Sequence, residues 1–331
     1  MTSLIKLDFR LLVELESDAR QTLSQIAKKL KTSQQVVSYR MKSLEKREVI
    51  GGYYTILDLS KLGYTSYRTM IRFSNITTQK YKEIIKYLVN HTNVLWIVEC
   101  GGRWDLIVNF IAKNVIQYNN FLIKFRKKFP SQIQNYDILP TANAVYFGRD
   151  YFVKDKRAPQ DMPSFGGESR EIHLDNLNLK ILKFLSRNAR MSAVNMATKL
   201  KTSSNTIMLR VKEMKKKGII QGFKPVIHLE NVGYFGYKSL IKLQNVTEQK
   251  EKEIVDYLKS KINVVGIIRL IGAWDFEIEF EVKTNREMLE FNREFRDSFK
   301  NIIKEFETIP LFHEYKYDFF PGDILLQNKN I

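Results

Sequence analysis

The chain repeats itself at one fixed offset. Ala19-Arg20 returns as Ala189-Arg190, Leu30-Lys31-Thr32-Ser33 as Leu200-Lys201-Thr202-Ser203, and Gly63-Tyr64 as Gly233-Tyr234. Gln79-Lys80 matches Gln249-Lys250, Trp104-Asp105 matches Trp274-Asp275, and Pro140 matches Pro310, each 170 residues apart with no gap needed. A period this long does not suit a solenoid, whose repeats are a few tens of residues, so each copy must be a complete unit. Between the copies lies Asp155–Arg170, with two prolines, a Gly-Gly pair and few apolar residues. That composition reads as a linker. The 331 residues therefore divide as 1–57 and 58–153, a linker over 154–171, then 172–227 and 228–322, and a tail over 323–331.

Within copy 1, apolar residues over Leu7–Leu15 fall at helical spacing, and Leu23, Ile26, Ala27 and Leu30 make a second amphipathic stripe. Ser33 suits the N-cap of a third helix, whose buried face is Val37, Met41 and Leu44 at i, i+4, i+7. Ile50-Gly51-Gly52 ends it, and Tyr53–Leu57 is strand-like, so the segment reads as three helices and a hairpin, a winged helix-turn-helix. Copy 2 repeats the layout, with Ser203 as cap and Ile207, Val211 and Met214 facing inward. The pattern then changes. Tyr67–Phe73 alternates like a strand, Thr77–His91 is an amphipathic helix, Val94–Val98 and Leu106–Ile111 are β-rich, Val115–Phe129 is helical, and Ile133–Phe147 is a last strand. The order βαββαβ predicts a ferredoxin-like domain. The fold class expected is α+β: two copies of a winged helix-turn-helix followed by a ferredoxin-like βαββαβ domain.

Several of these residues form a pattern together. Asp18-Ala19-Arg20 follows the first helix, Ser33-x-x-x-Val37-x-x-Arg40 opens the third, Ile50-Gly51-Gly52 stands at the wing, and Gly102-x-x-Asp105 separates two strands. In this order the chain resembles the Lrp/AsnC family of transcription regulators over nearly its whole length, with the family unit present twice. The resemblance implies DNA binding by the winged domain. It also implies a βαββαβ domain that self-associates through its sheet and, in many members, senses an amino acid or similar small metabolite.

Charge points to DNA independently of the family. The formal net charge is +18 and the pI about 9.7, which makes a polyanion the first partner to consider. Residues 28–47 and 198–217 each carry seven Lys or Arg against one Glu, and together supply 12 of the 18 net charges. Cations clustered on a helix-turn-helix neutralise phosphates. With the apolar face turned in, copy 1 offers Gln34, Gln35, Ser38, Tyr39 and Lys42 to base edges, beside the capping Ser33. Copy 2 offers Ser204, Asn205, Met208, Leu209 and Lys212 beside Ser203. Glutamine can pair with adenine and serine with several bases. Because the two faces differ, an asymmetric DNA site is expected, unless copy 2 grips only phosphates. Arg40 and Arg210 match the family arginine and suit a phosphate contact or a local salt bridge.

In effector-binding relatives the Gly-x-x-Asp turn lies near the ligand, so the resemblance makes Gly102, Arg103, Asp105, Gly272 and Asp275 effector candidates. The other reading is a structural turn in which the Asp bonds nearby backbone. Ala273 replaces Arg103 in copy 2, so a charged contact need not be duplicated. Two rival functions remain. Siroheme decarboxylases resemble paired Lrp/AsnC units, and a His-Asn-Tyr-type motif is expected from them after the first βαββαβ helix. Here those stretches read Asn93-Val94-Leu95-Trp96-Ile97 and Asn263-Val264-Val265-Gly266-Ile267. The other rival is a protein-assembly module that ignores DNA. No Ser/His/Asp arrangement, phosphate loop or catalytic carboxylate pair stands out, so no enzyme and no cofactor are expected. Four scattered histidines and the single Cys100 suggest structural roles rather than a metal or redox site. The N-terminus lacks the apolar core of a signal peptide, and no stretch reaches 18 apolar residues. A cytoplasmic protein is expected.

Overall fold

The computed structural model describes residues 4–74, 76–153, 162–167, 171–318 and 320. The tail expected over 323–331 and most of the linker lie outside them. Each copy opens with three helices: α1 (Lys6–Ser17), α2 (Leu23–Leu30) and α3 (Gln34–Lys46) in the first, α6 (Asn176–Arg187), α7 (Ala193–Leu200) and α8 (Ser204–Lys216) in the second. Thr22 caps α2 through the Gln25 amide, and that glutamine reaches back to the Thr22 amide. This reciprocal pairing satisfies two donors that the helix start leaves open. Lys31 and Lys201 end α2 and α7 in the left-handed region, at φ 55° and 51°, which turns the chain into the third helix.

The expected hairpin is not formed within either copy. Copy 1 supplies a single strand, β1 (Ile50–Leu57), and copy 2 supplies β7 (Ile220–Ile227); the two pair antiparallel with each other. The reason lies in the next residues. Asp58 accepts from the Ser60 amide and starts a 3-10 turn over Leu59–Leu62, which sends the chain toward the next domain instead of back along β1. The shared ribbon completes both heads. Ile227, Val232 and Tyr234 of copy 2 pack into the core of the first head, beside Leu11, Leu15, Val37 and Met41. Leu57, Leu59, Leu62 and Tyr64 of copy 1 do the same for the second.

The repeated Ala-Arg pair marks the seam. Arg20 Nη1 donates to the carbonyls of Ala189 and Met191 (3.0 Å to the latter), and Arg190 Nη1 donates to those of Ala19 and Gln21 (3.2 Å to the latter). Hydrogen bonds from a charged donor are worth about 1.5–3 kcal/mol. Arg20→Ala and Arg190→Ala are each expected to lower unfolding stability by about 1–3 kcal/mol, measured by denaturant unfolding of the single variants.

Each ferredoxin-like domain matches its expected order. Copy 1 runs β2 (Thr65–Phe73), α4 (Thr78–Val89), β3 (Val94–Cys100), β4 (Leu106–Ala112), α5 (Val115–Lys128) and β5 (Ile133–Tyr146). After a three-residue strand β6 (Ser164–Gly166) in the linker, copy 2 runs β8 (Phe235–Leu243), α9 (Glu248–Ser260), β9 (Val264–Leu270), β10 (Phe276–Val282), α10 (Asn285–Phe299) and β11 (Ile303–Tyr317). The helices cover the outer faces, with Ile84, Leu88, Phe121 and Phe125 packed in one copy and Ile254, Leu258, Phe291 and Phe295 in the other.

The two sheets are continuous. β5 pairs with β2 as far as Pro140 and with β9 from Thr141; β11 pairs with β8 as far as Pro310 and with β3 from Leu311. One nine-stranded sheet results, closed on itself through the β2–β5 pairing. Proline has no amide to donate, so it is tolerated where a strand changes partner. Met70, Trp96, Val98, Leu139, Leu240, Ile268 and Ile309 fill the interior.

The linker is only partly what its composition suggested. β6 joins the sheet beside β5, with Phe165 opposite Ala144 and stacked on Tyr146 at 5.5 Å. A Cβ at Gly166 would lie 2.6 Å from the Ala142 carbonyl oxygen, and its φ is +93°. Glycine is there because no side chain fits, rather than for freedom of the chain.

Candidate nucleic-acid interface

The third helix of each copy presents the residues its spacing predicts. Ser33 Oγ accepts from the Val36 amide (3.2 Å) and Ser203 Oγ from the Thr206 amide (3.0 Å), so both serines cap. Val37, Met41 and Leu44 are buried in α3, and Ile207 and Met214 in α8. Val211, expected inward, is only partly buried. Gln34, Gln35, Tyr39 and Lys42 are exposed, Tyr39 at 68%, while Ser38 is half-buried. In copy 2, Asn205, Met208, Leu209 and Lys212 are exposed and Ser204 is half-buried. The faces are unequal. One carries two amides and a phenol; the other carries one amide and two bare apolar side chains, Met208 and Leu209, 54% and 56% exposed.

Arg40 and Arg210 are drawn inward. Arg40 pairs with the buried Asp8 at 3.7 Å, and Arg210 with Asp175, the cap of α6, at 3.0 Å. Both tie the third helix to the start of the first, the local salt bridge among the readings open for them.

The Gly-x-x-Asp turns have a mechanical explanation. Asp105 Oδ2 accepts from the Phe73 amide and Asp275 Oδ2 from the Leu243 amide, both at 2.7 Å. Arg72 donates to the Gly102 carbonyl (2.8 Å) and Lys242 to that of Gly272 (2.9 Å). Gly102 and Gly272 take φ values of +86° and +124°. The preceding Gly101 amide donates to the Pro310 carbonyl, and the Ile271 amide to that of Pro140. Each turn therefore anchors the strand of the other copy where that strand changes partner. Arg103 lies over the Trp104 ring at 5.1 Å. Cys100 is buried, and burial raises its thiol to about 12, so it stays protonated and unreactive at neutral pH.

A second feature had no counterpart in the residues singled out from the sequence. Between the β1–β7 ribbon and the closed sheet lies a cavity of about 320 Å³. Its walls include Tyr54, Trp96, Tyr146, Phe165 and Tyr317, with Glu279, Glu281 and Glu314. Arg149 spans it, donating to both oxygens of Glu281 at 2.8 Å and to Glu16 of α1 at 2.6 Å. Arg68 pairs with Glu277 (3.0 Å), and the fully buried Lys238 pairs with Glu277 (2.6 Å) and with Glu279. Burial alone would raise Glu16, but Lys224 and Arg149 outweigh it and hold that carboxyl below its ordinary value. The signal was present in β10. Its run Phe-Glu-Ile-Glu-Phe-Glu-Val puts three glutamates on one face, and that face points inward.

The comparisons with known proteins agree with this geometry. A family model described as winged helix-turn-helix DNA-binding matches residues 6–50 and 174–221, the two helical heads. The HTH-type transcriptional regulator Ptr1 of Methanocaldococcus jannaschii is 34% identical over 102 residues, which cover 31% of this chain and 68% of that protein. An uncharacterized HTH-type transcriptional regulator of Pyrococcus furiosus is 34% identical over 120 residues, 36% of this chain and 78% of its own length. Among solved structures, the siroheme decarboxylase NirDL superposes over 98% of this chain and 100% of its own, with a TM-score of 0.62 and 12% identity. At that identity the likeness concerns the fold alone. No helix among the described residues is long and apolar enough to cross a membrane. With two helix-turn-helix heads that match the family model and a relative 34% identical over 68% of its own length, the chain belongs to the HTH-type transcriptional regulators.

Proposed function

We propose that the chain is a sequence-specific regulator that acts as an intrachain pseudo-dimer and reads an asymmetric site in double-stranded DNA. The observation that carries this is the pair of unlike exposed helix faces, Gln34-Gln35-Tyr39 against Asn205-Met208-Leu209, on heads joined by one ribbon and two reciprocal arginines. A homodimer of single units offers the same face twice. Here one chain offers two different ones, and the ribbon limits their relative movement. Glutamine and asparagine suit adenine, while methionine and leucine suit the thymine methyl group. If both heads bind one face of the duplex, their centres fall about one helical turn, roughly 34 Å, apart.

The test is selection of bound duplexes from a random pool, followed by footprinting of a chain with its α3 and α8 surface residues exchanged. The two half-sites of the selected sequence are expected to trade places. Unchanged half-site preference would refute base reading by copy 2.

The decarboxylase reading rests on fold likeness. Against it, the wall of the central cavity carries four glutamates, and its two arginines, Arg68 and Arg149, are paired with Glu277 and Glu281, where a polycarboxylate would need free cations. The site expected at the Gly-x-x-Asp turns has its aspartates engaged by their own strands. An effector, where one acts, has better walls elsewhere in the molecule.

A further inference from the structure

The cavity breaks the symmetry of the duplication. At the copy-1 end, β6 lies along β5 and covers Ala144. The residue 170 positions on is Glu314, whose carboxyl faces the cavity instead of a covering strand. The same exchange runs along β10. Ile107, Asn109 and Ile111 of β4 correspond to Glu277, Glu279 and Glu281. Four carboxylates have thus replaced apolar or neutral groups in one interior. A buried charge costs free energy unless it is paired, so the three on β10 need partners. Glu277, Glu279 and Glu281 have theirs in Arg68, Lys238 and Arg149. Glu314 has none of this kind among the described residues. Its Oε1 accepts from Trp96 Nε1 at 2.7 Å, and the rest of its side chain is exposed to the cavity. The protein around it and the neighbouring Glu279 push its carboxyl upward.

The walls around Glu314 indicate what the missing partner is. Tyr54 and Tyr317 meet edge to face at 4.6 Å, and Tyr146 and Phe165 stack opposite. Phe235 and Phe312 stand at the mouth, 55% and 63% exposed. Aromatic faces beside carboxylates that no lysine or arginine among the described residues neutralises, Glu314 within and Glu230 at the rim, form a receptor for a cation bearing an apolar body. Arg68, Arg149 and Lys238 are already committed to carboxylates, so they offer little to an anion. The volume of about 320 Å³ holds roughly ten non-hydrogen atoms at about 30 Å³ each.

We propose that this cavity binds a small organic cation, an alkylammonium or alkylguanidinium, with Glu314 as its counter-charge and the Tyr54, Tyr146 and Tyr317 rings as its walls. Two sides of the cavity come from the ribbon that joins the helix-turn-helix heads. A ligand seated there touches the element that sets their spacing. The ligand site does not depend on the DNA reading, and its test is made without DNA.

Spermidine and agmatine are titrated calorimetrically into the full-length chain, with glutamate and uroporphyrin III as anionic controls, and into Glu314→Gln. At least one cation is expected to bind one equivalent saturably, with a Kd below about 1 mM. A surface as basic as this one gives a free cation no diffuse attraction, so saturable uptake reports a built site. Glu314→Gln is expected to bind at least about tenfold more weakly, the loss of one charged partner. The same variant is expected to keep the parent's melting temperature within about 2 °C. An unchanged melting temperature separates lost binding from lost folding. No binding by either cation, undiminished binding by Glu314→Gln, or tighter binding of an anionic control would overturn the proposal. None of these results bears on whether the chain binds DNA.

Discussion

Replacing Gln34, Gln35, Tyr39 and Lys42 together by alanine is expected to weaken binding to the selected duplex by about 100-fold or more. Each glutamine that pairs with a base contributes about 1–3 kcal/mol of discrimination, and loss of one phosphate contact lowers the salt slope by about one. The side chains removed are exposed and hold no part of the core, so thermal stability should stay within about 0.5 kcal/mol of the parent. The counterpart on α8, with Asn205, Met208, Leu209 and Lys212 replaced, should relax sequence preference in the other half-site only. Fluorescence anisotropy with duplexes permuted in each half measures both effects. If the two variants lose affinity alike for every permutation, the helices grip phosphates without reading bases.

Replacing Arg149 by methionine is expected to destabilise the fold by about 3–5 kcal/mol, roughly 10 °C in melting temperature. Arg149 joins α1 of the first head, through Glu16, to β10 of the second barrel half, through Glu281. Its removal takes the partner of the buried Glu281 and leaves the buried Glu16 with Lys224 alone, and losing one side of a buried pair costs more than the pair contributes. The sign of the pH effect follows from Glu16. Its folded-state value lies below the ordinary 4.5, so its contribution is present above that pH and is lost as pH falls below it. The gap between variant and parent should be largest at pH 7 and close as the solution is acidified toward pH 3. A gap constant across that range would contradict the assigned network.

Much of the architecture was legible because local patterns and global packing agree. Val37, Met41 and Leu44 at helical spacing meant one buried face, and one is found. The strand and helix order of each ferredoxin-like domain followed from periodicity, and the repeat offset carried every assignment from one copy to the other. Pairing was the weak point. Nothing local in Tyr53–Leu57 says that its partner is Ile220–Ile227 of copy 2 rather than the next segment of its own copy. A strand's apolar pattern specifies a face, whereas its partner depends on contacts far away in sequence. Pro140 and Pro310 marked the points where β5 and β11 change partners, a signal whose meaning depends on closure of the sheet.

The candidate site divides the same way. The basic, exposed faces of α3 and α8 follow from charge and spacing alone. The carboxylate cavity does not. Phe276–Val282 alternates apolar and acidic residues, a pattern that reads as a strand with one face in water. The second sheet covers that face, so Glu277 and Glu281 are buried at 0% and 5% exposure. Burial on both faces came from tandem assembly, and a single strand's sequence does not contain it.

The most direct test of the whole account is a titration of the full-length chain into duplex DNA across a series of salt concentrations. Two basic heads neutralising about six to ten phosphates predict a slope of log affinity against log salt of roughly −5 to −9. A chain that fails to retain duplex DNA at about 50 mM salt, or whose retention does not change with salt, would contradict it.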